Sequence, residues 1–413
     1  MTEHFFRNEY GRMVSVITRY IGTENVHTAE DIVQKKLLKA VDSWHYKGVF
    51  RKIRRLGYTQ PQKNLTLNFL KREKYQFDFI NQAKIAEQNS EELEQLKFSE
   101  EQISDEQLKI MFVCCHPTIS ENAQICLILK ILCGFSIGEI ANAFFTSKET
   151  NNKRLVRGRK QLRENGVDFE LPSNINQNLP IVLKAIFLLF NEGYSPTQKN
   201  ELIRYDLCLE AIRLSELLVN NEEIEKKSDC YALLALMYFN ASRFDSRMNT
   251  TNSIIEMGKQ DRKNWSQKLI NKGIHRLNQA KSEKHVSVYL ILAAISANHC
   301  IASSFEKTDW KEILSLYDHL VELGHTPIVR LNRSVALARV KGNRAAILEL
   351  ERLKTEKGID ENHLYHSTLA ELYKVVNETD NAKKCFNKPI SLAKNERDIK
   401  LLQKRLVQVV PVS

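Results

Sequence analysis

Apolar residues recur along this chain with the period of amphipathic helices. Phe5, Tyr10, Met13, Val14, Ile17 and Tyr20 mark one such stripe, and Ile32, Val33, Leu37, Leu38, Val41 and Trp44 mark the next. The run Ala29–Gln34 is expected to open the second helix, with Glu30 and Asp31 in its first turn, where the helix dipole favours acids. A third helix is expected from about Asn64 to Tyr75, ending in Lys71, Arg72, Glu73 and Lys74. Beyond Pro180 the same period predicts helices over Leu183–Phe190, Leu207–Val219, Tyr231–Phe239, Leu269–Leu277, Val288–Ala297, Ile313–Leu323, Val329–Val340 and Ala345–Leu353. A closing pair places Leu369, Ala370, Leu372, Tyr373, Ala382, Phe386 and Leu392 as in a tetratricopeptide unit. Such pairs cannot bury their apolar faces alone, so they stack into an array, and an all-α fold is expected. Pro389 is expected to kink the last helix.

The segment Ser136–Arg163 reads as two capped helices joined by a tight turn. Ser136 and Glu139 have capping-box spacing, and Thr146 with Glu149 repeats it. Ile137, Ile140, Ala141 and Phe144 form the inward face of the first helix; Leu155, Gly158 and Leu162 form that of the second. This leaves Lys148, Asn152, Lys153, Val156, Arg157 and Lys160 near an outer face, a mixture of cations and amides suited to phosphates and to major-groove base edges. The plain alternative is a solvated basic helix. Two capped helices at helix-turn-helix spacing favour a DNA reader.

Charge sharpens this picture. The 413 residues carry a formal net charge of +11, distributed unevenly. Residues 1–75 hold about +8, Gln76–Phe112 about −6 and Lys148–Arg163 about +6. Two basic modules flanking an acidic connector suit a two-point grip on nucleic acid. Glu87–Glu106, acidic and poor in aromatics, reads as a flexible or weakly helical linker. A second boundary is expected from Gly166 through Pro172 and Pro180, where helix propensity is interrupted. The expected domains are therefore 1–75, an acidic linker 76–106, a helix-turn-helix module 107–168 and a helical-repeat extension 169–413. No apolar run is long enough to span a bilayer and no secretory leader is visible, so a cytoplasmic protein is expected. The eight cysteines lie mostly in apolar runs without a C-x-x-C pair and read as small buried hydrophobes. Cys114, Cys115 and His116 are adjacent, a spacing that does not converge on one metal ion. No Ser/His/Asp arrangement, glycine-rich phosphate loop or paired catalytic carboxylates stands out, so neither catalysis nor a cofactor is expected. Asn191–Tyr194 and Gln260–Arg262 with Trp265 are polar clusters beside apolar helices, open to a ligand or contact role or to plain capping and loop chemistry.

The blocks A-E-D-I-V-Q, N-L-T-L-N-F-L-K-R-E and the capped basic helix-turn-helix resemble a bacterial RNA polymerase sigma factor of the extracytoplasmic-function type. F-V-C-C-H-P, R-L-V-R-G-R-K-Q-L-R, F-L-L-F-N-E-G-Y, Q-D-R-K-N-W and V-R-L-N-R-S-V-A resemble the subgroup with a long tetratricopeptide-like extension. The resemblance implies two partners, core RNA polymerase and promoter DNA, with a regulatory protein or ligand on the extension. By position it implies that Asp31 and Gln34 touch the polymerase, that Asn64, Lys71 and Arg72 approach the −10 element, and that Lys148, Asn152, Lys153, Arg157 and Lys160 meet the −35 groove. Lys35, Lys36 and Asn68 depart from the family pattern. The largest departure is R-K-I-R-R-L-G-Y-T-Q-P-Q after Phe50, where the family shows a proline and aromatic approach to the third helix. A one-nucleotide shift with permitted codons across Arg51–Thr59 yields P-E-N-P-S-A-W-L-Y-T, so a local frame change in the gene and a basic DNA-contacting insertion are the two readings. The function implied is promoter-directed transcription initiation; the rival is a degenerate relative serving only as a helical-repeat scaffold.

Overall fold

The computed structural model describes residues 2–46, 100–196, 202–249, 253–356 and 359–392, apart from single positions 145, 174, 325 and 361. Sixteen α-helices occur among these residues; the only β pairing among them is one isolated bridge between Met248 and Ile254. The all-α expectation holds. The third helix expected at 64–75, the departure after Phe50 and most of the acidic connector lie outside the described residues.

The chain divides into two units, the first comprising Met1–Thr197 with Ile203–Lys226, the second Gln198–Leu202 with Lys227–Ser413. In the first, α1 (Thr2–Ile21) and α2 (Val26–Tyr46) form a hairpin through the 3-10 turn Thr23–Asn25. Gly22, at φ +85°, lets the chain reverse there. The turn starts α2 earlier than the sequence suggests, so Glu30 and Asp31 lie beyond its first turn, which carries no acid. Glu30 is instead buried. The helix α3 (Glu100–Val113) packs on α1. It takes in the end of the expected linker, since Ile103 and Glu106 within it are buried. Next come α4 (Glu121–Ile131), α5 (Ile137–Ala143) and α6 (Lys148–Glu164).

Two further helices, α7 (Ile175–Tyr194) and α8 (Tyr205–Asn220), pack on each other and, through α7, on α3, α4 and α5. Sequence places a boundary at Gly166–Pro180, yet Pro180 sits inside α7. Burial of Leu179, Val182, Leu183, Ile186, Leu189 and Phe190 outweighs the backbone hydrogen bond that a proline removes. Asn191–Tyr194 is the end of this helix rather than a loop. Glu192 is buried, and a Cβ on Gly193 would stand 2.8 Å from Cys208 Sγ, so the glycine lets α7 and α8 touch.

The second unit contains α9 (Ser228–Ala241), α10 (Gln267–Ser282), α11 (Val288–Ile301), α12 (Trp310–Leu323), α13 (Pro327–Lys341), α14 (Asn343–Leu353), α15 (His363–Val375) and α16 (Thr379–Leu392), each packed on its chain neighbour. Every helix predicted beyond Pro180 falls inside one of these or inside α7 and α8. One apolar layer joins Ile291, Ile295, Ile313, Leu314 and Leu337; another joins Leu350, Leu353, Tyr365, Ala370, Ala382 and Phe386. Pro389 lies within α16. Seven of the eight cysteines are buried and all are free thiols. Among the described residues no helix is long and apolar enough to cross a membrane.

Candidate nucleic-acid interface

The turn between α5 and α6 is built by side chains that cap both helices. Ser136 Oγ accepts from the Glu139 amide at 3.2 Å while Glu139 Oε2 accepts from the Ser136 amide at 2.7 Å, completing the expected capping box. The other Glu139 oxygen binds Arg204, whose side chain is buried, which fastens α5 to the start of α8. At α6 the cap is Ser147, not Thr146: Ser147 Oγ accepts from the Thr150 amide at 3.1 Å. Thr146 Oγ1 takes Asn151 Nδ2 at 2.6 Å instead, and Glu149 pairs with Lys153 at 3.0 Å. Asn151, fully buried, also bonds the Ser147 carbonyl at 2.9 Å and accepts from Arg154 at 3.0 Å. It had no sequence signal beyond its neighbourhood.

The inward face of α6 is as expected. Leu155, Gly158 and Leu162 are buried. A Cβ on Gly158 would come within 2.9 Å of Leu127 Cδ1, so the glycine lets α6 approach α4 closely. The opposite face carries Lys148, Asn152, Lys153, Val156, Arg157 and Lys160, all exposed. Lys153 and Lys160 leave about two thirds of their side chains in water, and among the described residues they pair with helix neighbours, Glu149 and Glu164. Such exposed pairs are weak and exchange readily for phosphate. Beside this face lies a concavity of about 480 Å³ lined by Thr118, Ser120, Arg154, Arg157, Lys160 and Gln161 among others. Its wall is set by Gln161 Nε2, which donates to the Thr118 carbonyl at 2.7 Å, and by Asn165 Nδ2, which donates to Thr118 Oγ1 at 3.2 Å. Arg154 is drawn back over the Phe144 ring, 5.4 Å from its centre.

One cation of α6 faces the other way. Arg159 bonds the buried Glu30 carboxylate of α2 at 2.5 Å, and Tyr10 of α1 donates to the same carboxylate at 3.1 Å. Burial, and then the Glu30 charge, push the Tyr10 hydroxyl's pKa up. Arg19 of α1 pairs with the buried Glu106 of α3, and Thr23 donates to the Val167 carbonyl. Burial raises the Glu106 pKa, and the Arg19 charge opposes it. The N-terminal hairpin is thus tied to the helix-turn-helix by buried polar groups. The two modules, expected at opposite ends of a flexible connector, share one unit here.

Of the other sequence-proposed residues, Asp31 and Gln34 lie on α2, Asp31 partly exposed and 3.4 Å from His27, Gln34 exposed. Asn64, Lys71 and Arg72 lie outside the described residues. Burial raises the thiol pKa of Cys115 to about 12 and that of Cys114 as well, as expected of core thiols. Among the described residues no group of three or more His, Cys, Asp or Glu could hold a metal ion.

Residues 178–281 match a family of unknown function (DUF6596). An uncharacterized protein of Rhizobium meliloti is 33% identical over 304 residues, covering 73% of this chain and 71% of that one. No solved structure matches. At that identity and coverage the chain belongs to the same family as the Rhizobium meliloti protein, with a DUF6596 segment running from α7 to α10.

Proposed function

We propose that this protein is a sigma-type transcription initiation factor, which binds core RNA polymerase and directs it to promoters by reading duplex DNA with α6. The observation that carries the reading is the division of α6 into two faces. Leu155, Gly158 and Leu162 are buried, while Lys148, Asn152, Lys153, Arg157 and Lys160 stand exposed on a helix capped within a helix-turn-helix. On this reading Lys153, Arg157 and Lys160 neutralise phosphates, and Asn152 has the donor and acceptor pair suited to an adenine edge. The role of Asp31 and Gln34 is contact with the polymerase; that of Asn64, Lys71 and Arg72 is the −10 element. The DUF6596 segment and the helices after it serve regulation, and the protein works in the cytoplasm without covalent chemistry or a cofactor.

Run-off transcription with purified core polymerase on promoter libraries is the test. Activity only in the presence of the protein supports the reading. DNA binding without dependence on the core enzyme replaces it with a repressor, and neither activity leaves a helical-repeat scaffold. Duplex binding is expected to weaken steeply with salt. The double substitution Lys153→Ala and Arg157→Ala is expected to lower the salt slope by about two and to cut affinity at least tenfold. Circular dichroism and melting should remain as in the parent, because both side chains are exposed.

A further inference from the structure

Between α9 and α10 the chain makes the 3-10 turns Phe244–Ser246, Met257–Lys259 and Arg262–Asn264 and brings two arginines onto one tryptophan. The Arg262 guanidinium carbon lies 4.5 Å from the Trp265 ring centre, and that of Arg243 lies 5.8 Å away. Trp265 is 6% exposed and Arg243 7%. Arg262, half-buried, spends one nitrogen on the end of α11, where Nη1 donates to the carbonyls of His299 and Ala302 at 2.5 and 2.7 Å. Its Nη2, the Trp265 indole N–H and His299 Nδ1 are shut off from solvent and have no hydrogen-bond partner among the described residues. The adjacent acid, Asp261, is engaged in capping the turn through the Lys263 amide at 3.0 Å.

Buried donors left without an acceptor are costly, because they give up water without gaining a partner. Here two of them, on Arg262 and Trp265, sit where positive charge is also concentrated. That concentration is felt locally. Burial first, and then the Arg243 and Arg262 charges, hold the His299 pKa down at about 4, while burial and the Arg243 charge lower that of Arg262 against the opposing charge of the exposed Glu306. A group with several acceptor lone pairs and a negative charge would relieve both the unmet donors and the repulsion.

We propose that Arg243, Arg262, Trp265 and His299 form a binding site for an oxyanion, a carboxylate or a phosphate group, which accepts hydrogen bonds from Arg262 Nη2 and the Trp265 indole. The aromatic and cationic row continues past the site: His299 meets Trp310 edge-on at 5.3 Å, and Arg339 lies over Trp310 at 5.7 Å. An acidic peptide side chain and a free anion present the same chemistry to this site.

Isothermal titration calorimetry of the full chain with inorganic phosphate and with a hexaglutamate peptide tests the proposal. Saturable binding of either probe is expected. Trp265→Phe keeps the ring and removes the donor, and Arg243→Gln keeps much of the side-chain volume and removes the charge; each is expected to weaken binding about fivefold or more without lowering the melting temperature. Phosphate alone binding assigns the site to a free anion, the peptide alone to a protein partner, and both to either source. No heat with either probe, or undiminished binding by both variants, overturns it. Neither outcome depends on the DNA-reading role of α6.

Discussion

Both units bury an apolar core, and they differ in how deeply the ion pairs between their helices are set. In the first, charged side chains reach between helices and are buried on at least one side: Glu30 with Arg159, Glu106 with Arg19, Glu139 with Arg204. In the second, ion pairs such as Arg333 with Asp318 and Glu349, or Arg344 with Glu378, lie toward the surface over packed apolar layers. A buried pair adds little net stability over an apolar substitute but is costly to break from one side, so it defines one arrangement and penalises half-made ones. An apolar layer tolerates volume-conserving exchange. The first unit thus adds polar matches to its apolar core, while the second rests on shape and volume.

The sharpest way to break this contrast is to attack each unit where it is strong. Phe386→Ala, at a fully buried position in the last layer of the second unit, is expected to cost about 4 kcal/mol in urea unfolding. Glu30→Ala strands Arg159 and removes the acceptor of Tyr10, and is expected to cost about 3 kcal/mol. A loss below about 1 kcal/mol there would show that the hairpin does not depend on its polar ties. Acid provides a third probe. The His299 pKa, about 4 in the folded chain, lies below the unfolded value near 6.5. The unfolded state therefore binds more protons between these limits, and the histidine's contribution to stability falls as pH drops from about 6.5 toward 4. Chemical-shift titration of the ring, together with melts across that window, checks the direction. The smallest effect is expected for Glu349→Ala, below about 1 kcal/mol, because Arg333 keeps Asp318 at 2.5 Å and the pair is partly in water.

How far the sequence foresaw this depends on the kind of contact. Helical stripes were legible because Leu155, Gly158 and Leu162, or Leu369, Ala370 and Leu372, repeat within a few residues of one another. The Ser136 cap was legible for the same reason. Thr146 with Glu149 has capping-box spacing, but the cap is Ser147, with Thr150 three residues on, and spacing alone does not separate adjacent hydroxyls. Glu30 read as an acid at a helix start because its partner, Arg159, is 129 residues away. The oxyanion site was visible only as Gln260–Arg262 and Trp265, since Arg243 and His299 reach it from the ends of other helices.

Arg157 and Arg159 stand two residues apart on one helix and answer to different masters, one open to water and the other held by Glu30. A mutational scan that neutralises every cation of Lys148–Glu164 will therefore return two kinds of failure that look alike in a binding assay. On the proposed DNA-reading role, a change at Arg157 leaves the protein sound and weakens its grip. At Arg159 the loss follows from a damaged scaffold, and the residue would be scored as a reader although it faces away from any ligand. Yield and heat resistance of each variant tell these cases apart.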